Sequence, residues 1–155
     1  MMKTFFTLTL LPCLGLIAAT FHAEGQESKQ LSQRDQLRAA AQQICPVSGQ
    51  PLGEHGTPVK VTVGKQKEEV FLCCEACLKG QLNRKHWGTI HANYAKAQGI
   101  CPVMEQKLPD NPKWTITDGK IIYVCCPPCT KKIAAEKEKY LGKLDQLYAK
   151  SLKQK

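Results

Sequence analysis

Apolar residues follow three different rhythms along this chain. From Phe5 to Ala19 no charge interrupts them: Leu8, Leu10, Leu11, Leu14, Leu16 and Ile17 stand behind Lys3, and the small residues Ala18, Ala19, Thr20 and Ala23 follow. Further on they alternate with polar residues, as Val59, Val61 and Val63 and again as Trp114 and Ile116, which is the period of a half-buried strand. Each alternating run has a partner close behind it. The pattern predicts two β-hairpins, Val59–Val63 with Glu69–Leu72 and Lys113–Thr117 with Lys120–Val124, the second turning at Asp118-Gly119. Near the C-terminus Ile133, Tyr140, Leu141, Leu144, Leu147, Tyr148 and Leu152 recur close to the helical period. In the first half Leu78 and Leu82 open a helix that Ile90 and Tyr94 continue, with Gly88 as the expected break. The Gln-, Ser- and Arg-rich stretch 24–43 ends in Ala39-Ala40-Ala41 and reads as a flexible leader turning helical.

These elements come in two copies. Ile44-Cys45-Pro46-Val47 returns as Ile100-Cys101-Pro102-Val103, Phe71-Leu72-Cys73-Cys74 as Tyr123-Val124-Cys125-Cys126, and Cys77 as Cys129. The order of matches is the signature of an internal repeat. It divides the chain into a first module, 44–98, and a second, 99–155 with the C-terminal helix. The first copy carries extra residues around Gly53 to Pro58. The fold class that follows is α+β: two small modules, each a hairpin plus a helix, stabilised by metal or by disulfides.

Composition sharpens this picture. Apolar residues at 43% and charged residues at 23% fit a globular chain, but aromatics at 6% limit the core of either half. Units of roughly fifty residues need a metal or disulfides to hold them. The N-terminal run has the order of a secretory signal, expected to be removed as residues 1–23 and to take Cys13 with it. An uncleaved anchor is the alternative, although about 15 apolar residues fall short of the roughly 20 a membrane span requires. The net charge of +9 loses only Lys3 in that step and becomes +8. The basic residues lack interleaved aromatics and many lie in the last helix, so they read as a solvated lysine-rich face rather than a nucleic-acid surface.

The chemistry lies in the eight cysteines that remain: Cys45, Cys73, Cys74 and Cys77, then Cys101, Cys125, Cys126 and Cys129. Three in each copy form C-C-x-x-C where a strand gives way to a helix. Cys73 with Cys77, or Cys74 with Cys77 across the turn, can aim two sulfurs at one point. The helix start favours thiolate over thiol. The third sulfur, Cys45 or Cys101, arrives from the Cys-Pro-Val turn if the hairpin folds back. Thiolates are soft ligands suited to Zn and Cu(I), about one ion per module. His55, His86 and His91 occur only in the first copy, and loop or surface positions are expected for them. Met104 is expected at a surface or packing position, and Glu75 lacks a counterpart in the second copy, where Pro127 stands.

A C-P-V turn, a short hairpin and an aromatic residue leading to a helix-starting cysteine pair resemble the TRASH and YHS heavy-metal-binding domains over residues 44–85 and 100–141. The resemblance implies treble-clef-like modules with Cys45, Cys73 and Cys77, and Cys101, Cys125 and Cys129, as metal ligands. Cys74 and Cys126 depart from the family, standing where a small polar residue is common, and the gap after the first cysteine is longer than usual.

The expected function is therefore binding of a transition metal in the periplasm or outside the cell, for storage, delivery or sensing. Its expected partners are the ion and another exported metal-handling protein. A structural interaction protein held by zinc or four disulfides is the main alternative, and a thiol-disulfide oxidoreductase is a further one. The sequence holds no phosphate loop, nucleophile elbow or H-E-x-x-H to support an enzyme. N-terminal sequencing of protein isolated from its native source is expected to begin near Glu24; a chain beginning at Met1 in the cytoplasm would refute the export signal.

Overall fold

The computed structural model describes residues 30–154; the expected signal segment and Cys13 lie outside them. The elements run α1 (Gln33–Gln42), β1 (Val59–Val63), β2 (Glu68–Leu72), a 3-10 turn (Glu75–Lys79), α2 (Arg84–Gln98), β3 (Lys113–Thr117), β4 (Lys120–Val124), α3 (Pro128–Ala135) and α4 (Lys137–Lys153). The two hairpins are antiparallel and two-stranded, with Val61 opposite Val70 and Thr115 opposite Ile122. The fold is thus α+β with two small hairpin-and-helix modules. Asp118 and Gly119 both take positive φ, 47° and 77°, the conformation of a tight hairpin turn whose twist matches its strands.

The helices depart from expectation in three places. The leader does not stay outside the fold: Ser32 caps α1 by accepting from the Asp35 N–H, and Ala39 and Ala41 are buried. Arg38, also buried, pairs with Asp145 of α4 at 3.0 Å. The helix expected from Leu78 is only a 3-10 turn that stops at Gly80, and Leu78 and Leu82 are exposed. At Gly80 a side chain would start 2.4 Å from Val47 Cγ1, so the backbone lies hard against the Cys-Pro-Val turn. Asn83 then caps α2, its Oδ1 accepting from the N–H groups of Lys85 and His86, and α2 runs unbroken through Gly88. An interior glycine costs a helix only about 1 kcal/mol, less than the capped, packed helix recovers. Finally, the C-terminal helix is divided at Glu136, whose φ of −129° and ψ of 55° separate α3 from α4.

Helices α1, α2 and α4 pack on one another and make the centre of the molecule. Ala41, Ile90, Tyr94, Leu141, Leu144 and Tyr148 are buried there, continuous with Ile121, Ile122, Tyr123 and Val124 of the second hairpin. The rings of Tyr94 and Tyr148 lie 6.1 Å apart. The first hairpin has a much smaller cluster, in which Cys45, Leu72 and Cys73 are the buried members. The hairpins also touch each other: Glu69 N–H donates to Gly119 O at 2.7 Å, and Lys120 pairs with Glu69 at 3.2 Å.

One buried side chain in each copy ties helix, turn and strand together. Gln42, the last residue of α1, donates from Nε2 to Ile44 O and Phe71 O at 2.9 and 2.7 Å, and its Oε1 accepts from Phe71 N–H at 2.9 Å and Tyr94 Oη at 3.0 Å. Gln98, the last residue of α2, repeats this with Ile100 O, Tyr123 O and Tyr123 N–H at 2.9, 2.7 and 2.8 Å. Both glutamines are essentially inaccessible to solvent. Helix α2 therefore serves the first copy as its closing helix and the second as its opening one.

Replacing Gln42 by leucine strands several buried backbone and hydroxyl groups, each costing about 1–3 kcal/mol when unpaired. Gln42→Leu is expected to destabilise the protein by about 3 kcal/mol in urea denaturation followed by circular dichroism. Because α1, α2 and α4 share one core, the loss should appear in a single transition; two separate transitions would show that the halves fold on their own.

Candidate metal centre

Each centre begins with the turn that carries its first cysteine. Cys45 N–H donates to Gln50 O and Gly49 N–H donates to Cys45 O, at 2.8 and 2.9 Å. Cys101 N–H to Gln106 O and Glu105 N–H to Cys101 O repeat the loop at 2.8 Å each. Gly49 and Glu105, at matching positions, take φ of 76° and 57°. This closed loop turns several N–H groups inward around the sulfur. The remaining cysteines come from the end of the second strand. Cys74 and Cys126 accept through their carbonyls from the Cys77 and Cys129 N–H groups, both at 3.2 Å, and these turns swing the last sulfur back beside the first.

The result is two sets of three sulfurs. Cys45, Cys73 and Cys77 lie within 4.8 Å of one another, and so do Cys101, Cys125 and Cys129. Cys73 and Cys77 sulfurs are 3.6 Å apart, while Cys101–Cys129 and Cys125–Cys129 are both 3.9 Å. Tetrahedral zinc with Zn–S bonds of about 2.3 Å places its sulfurs about 3.8 Å apart. A disulfide requires about 2.05 Å, and all eight cysteines among the described residues are free. The donor chemistry and spacing fit one soft ion per centre.

Cys74 and Cys126 stand beside these triads. Cys74 Sγ is 3.8 Å from Cys73 and 4.0 Å from Cys77, and Cys126 Sγ is 3.8 Å from Cys125 and 3.3 Å from Cys129. Cys45, Cys73, Cys101 and Cys129 are buried; Cys74, Cys77, Cys125 and Cys126 reach the surface in part. Each centre is therefore closed on the side of the fold and open on the side of the adjacent-cysteine step.

The other candidates separate from the sulfurs. Neither sulfur cluster includes a histidine. His55 and Glu75 are exposed, and Met104 is largely so. His86 and His91, expected in loops or at the surface, instead lie half-buried on α2, because α2 starts later and carries them inward. His86 faces Gly49, and His91 faces Glu68 and Tyr123. Ser48, not singled out by the sequence, brings its Oγ to 3.4 Å from Cys73 Sγ, at the position Met104 holds in the second copy. The supporting glutamines also went unread, although Ala41-Gln42-x-Ile44-Cys45 and Ala97-Gln98-x-Ile100-Cys101 extend the repeat upstream of the turn.

Crowded sulfurs cannot all ionise together, and their environments sort them. Burial opposes ionisation of Cys45, but the Ser48 N–H and hydroxyl with the N–H groups of Cys73 and Val47 outweigh it and bring the thiol to about 7. Burial and the neighbouring sulfurs push Cys77 up to about 12, and the same causes raise Cys129. Cys101 repeats the lowering at the turn, where backbone N–H groups again outweigh burial. The turn sulfur of each centre is thus the one whose burial is outweighed by backbone N–H groups, while Cys77 and Cys129 are held up by burial and crowding. A divalent ion removes the repulsion that keeps protons on the crowded sulfurs.

No family model, no curated protein and no solved structure matches this chain.

Metal uptake should release protons, because the thiols must ionise to become ligands. As the pH falls, more protons must be displaced from sulfur and affinity drops, at Cys45 through its thiol near 7. Calorimetric zinc titrations in buffers of different ionisation enthalpy measure this directly; uptake without proton release would contradict the assignment of thiols as ligands.

Proposed function

We propose that this chain is an exported thiolate protein that binds Zn or Cu(I), one ion in each module, to store, deliver or sense the metal rather than to catalyse a reaction. The observation that carries the reading is the duplicated triad of sulfurs at ligand spacing, each with a further thiol on its accessible edge. A purely structural zinc site would take that thiol as its fourth ligand. A trafficking site instead keeps it at the edge, because Cu(I) passes between proteins through two- and three-coordinate thiolate intermediates, and an edge sulfur supplies the entering ligand. The resemblance of the two copies to TRASH and YHS heavy-metal-binding domains points the same way. Another exported metal-handling protein is the partner this requires. The lysine-rich surface of α4 is a solvated face in this reading.

One observation favours a structural role for metal in the first copy. The buried cluster behind its hairpin consists of Leu72 with the site cysteines Cys45 and Cys73, so an ion there would also serve as core. The two roles respond differently to mutation. Cys77→Ser and Cys129→Ser are expected to abolish binding at their own centre. Cys74→Ser and Cys126→Ser are expected to slow metal transfer more than they lower equilibrium affinity. Competition against a chromogenic Cu(I) chelator, with stopped-flow transfer, separates these outcomes. Equal loss of affinity in all four variants would indicate four-cysteine structural zinc sites instead.

A further inference from the structure

The second centre brings its edge thiol closer to one triad sulfur than ligands of a common ion would stand. Cys126 Sγ lies 3.3 Å from Cys129 Sγ, whereas the other sulfur separations given above run from 3.6 to 4.0 Å. Two thiolates on tetrahedral zinc are about 3.8 Å apart. The residues between this close pair are Pro127 and Pro128. Pro127 has helical backbone angles, φ −56° and ψ −38°, and Pro128 opens α3. Proline fixes φ, so the step from Cys126 to Cys129 has little freedom to lose when its ends are joined. Two hydrogen bonds pin the turn further: Cys129 N–H donates to Cys126 O at 3.2 Å, and Thr130 Oγ1 donates to Pro127 O at 2.8 Å. The two sulfurs differ in access. Cys126 reaches the surface in part, beside two exposed prolines, while Cys129 is buried. The first centre shares the spacing but not the closeness: Glu75 and Ala76 separate Cys74 from Cys77, and those sulfurs are 4.0 Å apart.

An accessible thiol with a covered one held in contact behind it is the arrangement that thiol–disulfide exchange uses. We propose that Cys126 and Cys129 are a site of reversible disulfide formation, which empties the second centre when a disulfide donor reaches it while the first centre keeps its ion. The Cys126 sulfur attacks one sulfur of the donor. A bond forms between them, the donor's own S–S bond breaks, and its other half leaves as a thiolate that takes up the Cys126 proton. Cys129 Sγ then attacks Cys126 Sγ and expels the second half of the donor. That half takes its proton from Cys129 in an empty centre, or from water in a filled one. The protein has lost two electrons, and the donor has become two thiols. Cys125, 3.8 Å from Cys126, is a poor substitute for Cys129, because a bridge between adjacent residues distorts the peptide that joins them. Cys129 belongs to the triad, so the new bond leaves Cys101 and Cys125 to hold the ion. Two sulfurs are too few for zinc, which wants four ligands. The fate of the ion rests on the metal-binding reading above; the order in which the thiols close does not.

Trypsin separates the two centres, because the peptide Glu68–Lys79 carries Cys73, Cys74 and Cys77 and the peptide Ile121–Lys131 carries Cys125, Cys126 and Cys129. Reduced protein, both zinc-loaded and zinc-free, is treated anaerobically with oxidised glutathione, alkylated at intervals, digested and weighed by mass spectrometry. Ile121–Lys131 is expected to lose two hydrogens, with its one alkyl group on Cys125, about tenfold faster than Glu68–Lys79 closes any pair. In the zinc-loaded sample one equivalent of zinc should leave at the same rate, and dithiothreitol should restore its binding. Cys126→Ser should remove both the fast closure and the zinc release, and Cys74→Ser should change neither. Equal rates for the two peptides, a glutathione adduct that persists on Cys126, or a bridge that includes Cys125 would overturn the proposal. So would closure confined to the zinc-free sample. The order of closure is read on the unmutated protein, so a variant that folds poorly leaves the test intact. Protein that takes up no zinc at all would defeat the metal-binding reading alone, because the zinc-free sample still shows which pair closes first.

Discussion

A buried glutamine at the end of a helix is the constraint on which both centres depend. Gln42 and Gln98 each bridge the residue before a Cys-Pro-Val turn to the residue two places before a cysteine pair. Without that bridge the first cysteine and the pair belong to separate pieces of chain. With it, the sulfurs of the turn and of the strand end are fixed within ligand distance. A carboxamide suits the task because it donates and accepts at once, so it pairs both the N–H and the carbonyl of Phe71 or Tyr123. A hydrophobic side chain of the same size would fill the space and leave those groups unpaired.

The sulfur sites then face an electrostatic problem that the backbone partly solves. Thiolates packed at ion spacing repel, and burial makes this worse. Turning the N–H groups of Ser48, Cys73 and Val47 onto Cys45 stabilises one charge, while burial and the crowded sulfurs oppose ionisation of Cys77. The arrangement is a receptor for a cation rather than a set of charges at rest.

The two copies solve the same geometry with different surroundings. In the second, Pro127 and Pro128 lead into a full helical turn and the centre backs onto the main core. In the first, the turn after the cysteines is short, Gly80 presses on Val47, and the chain leaves to form α2. That departure makes α2 a shared element. It brings His91 against Glu68 and Tyr123 at the seam of the two modules, and it places Ile90 and Tyr94 in the common core.

Much of this was legible in the residue order. The alternation of Val59, Val61 and Val63, the Asp118-Gly119 turn and the repeated cysteine spacing depend on neighbours in sequence, and so they gave both hairpins and the two sets of candidate ligands. The split of each set into a triad and an edge thiol was expected from the resemblance to TRASH and YHS domains and matches the grouping found, whereas spacing alone left Cys73 and Cys74 open. Cys73 and Cys74 are one residue apart, and only the returning turn decides which sulfur meets Cys45 or stands aside. The start of α2 was misread because Leu78 and Leu82 have helical spacing, whereas Asn83 capping and the contact of Gly80 with Val47 are what end one turn and begin the next. The leader and His91 were misplaced for the same reason. Residue order records periodicity along the chain, but burial at α1 and at the His91 seam is created by contacts with α4 and β4, many residues away.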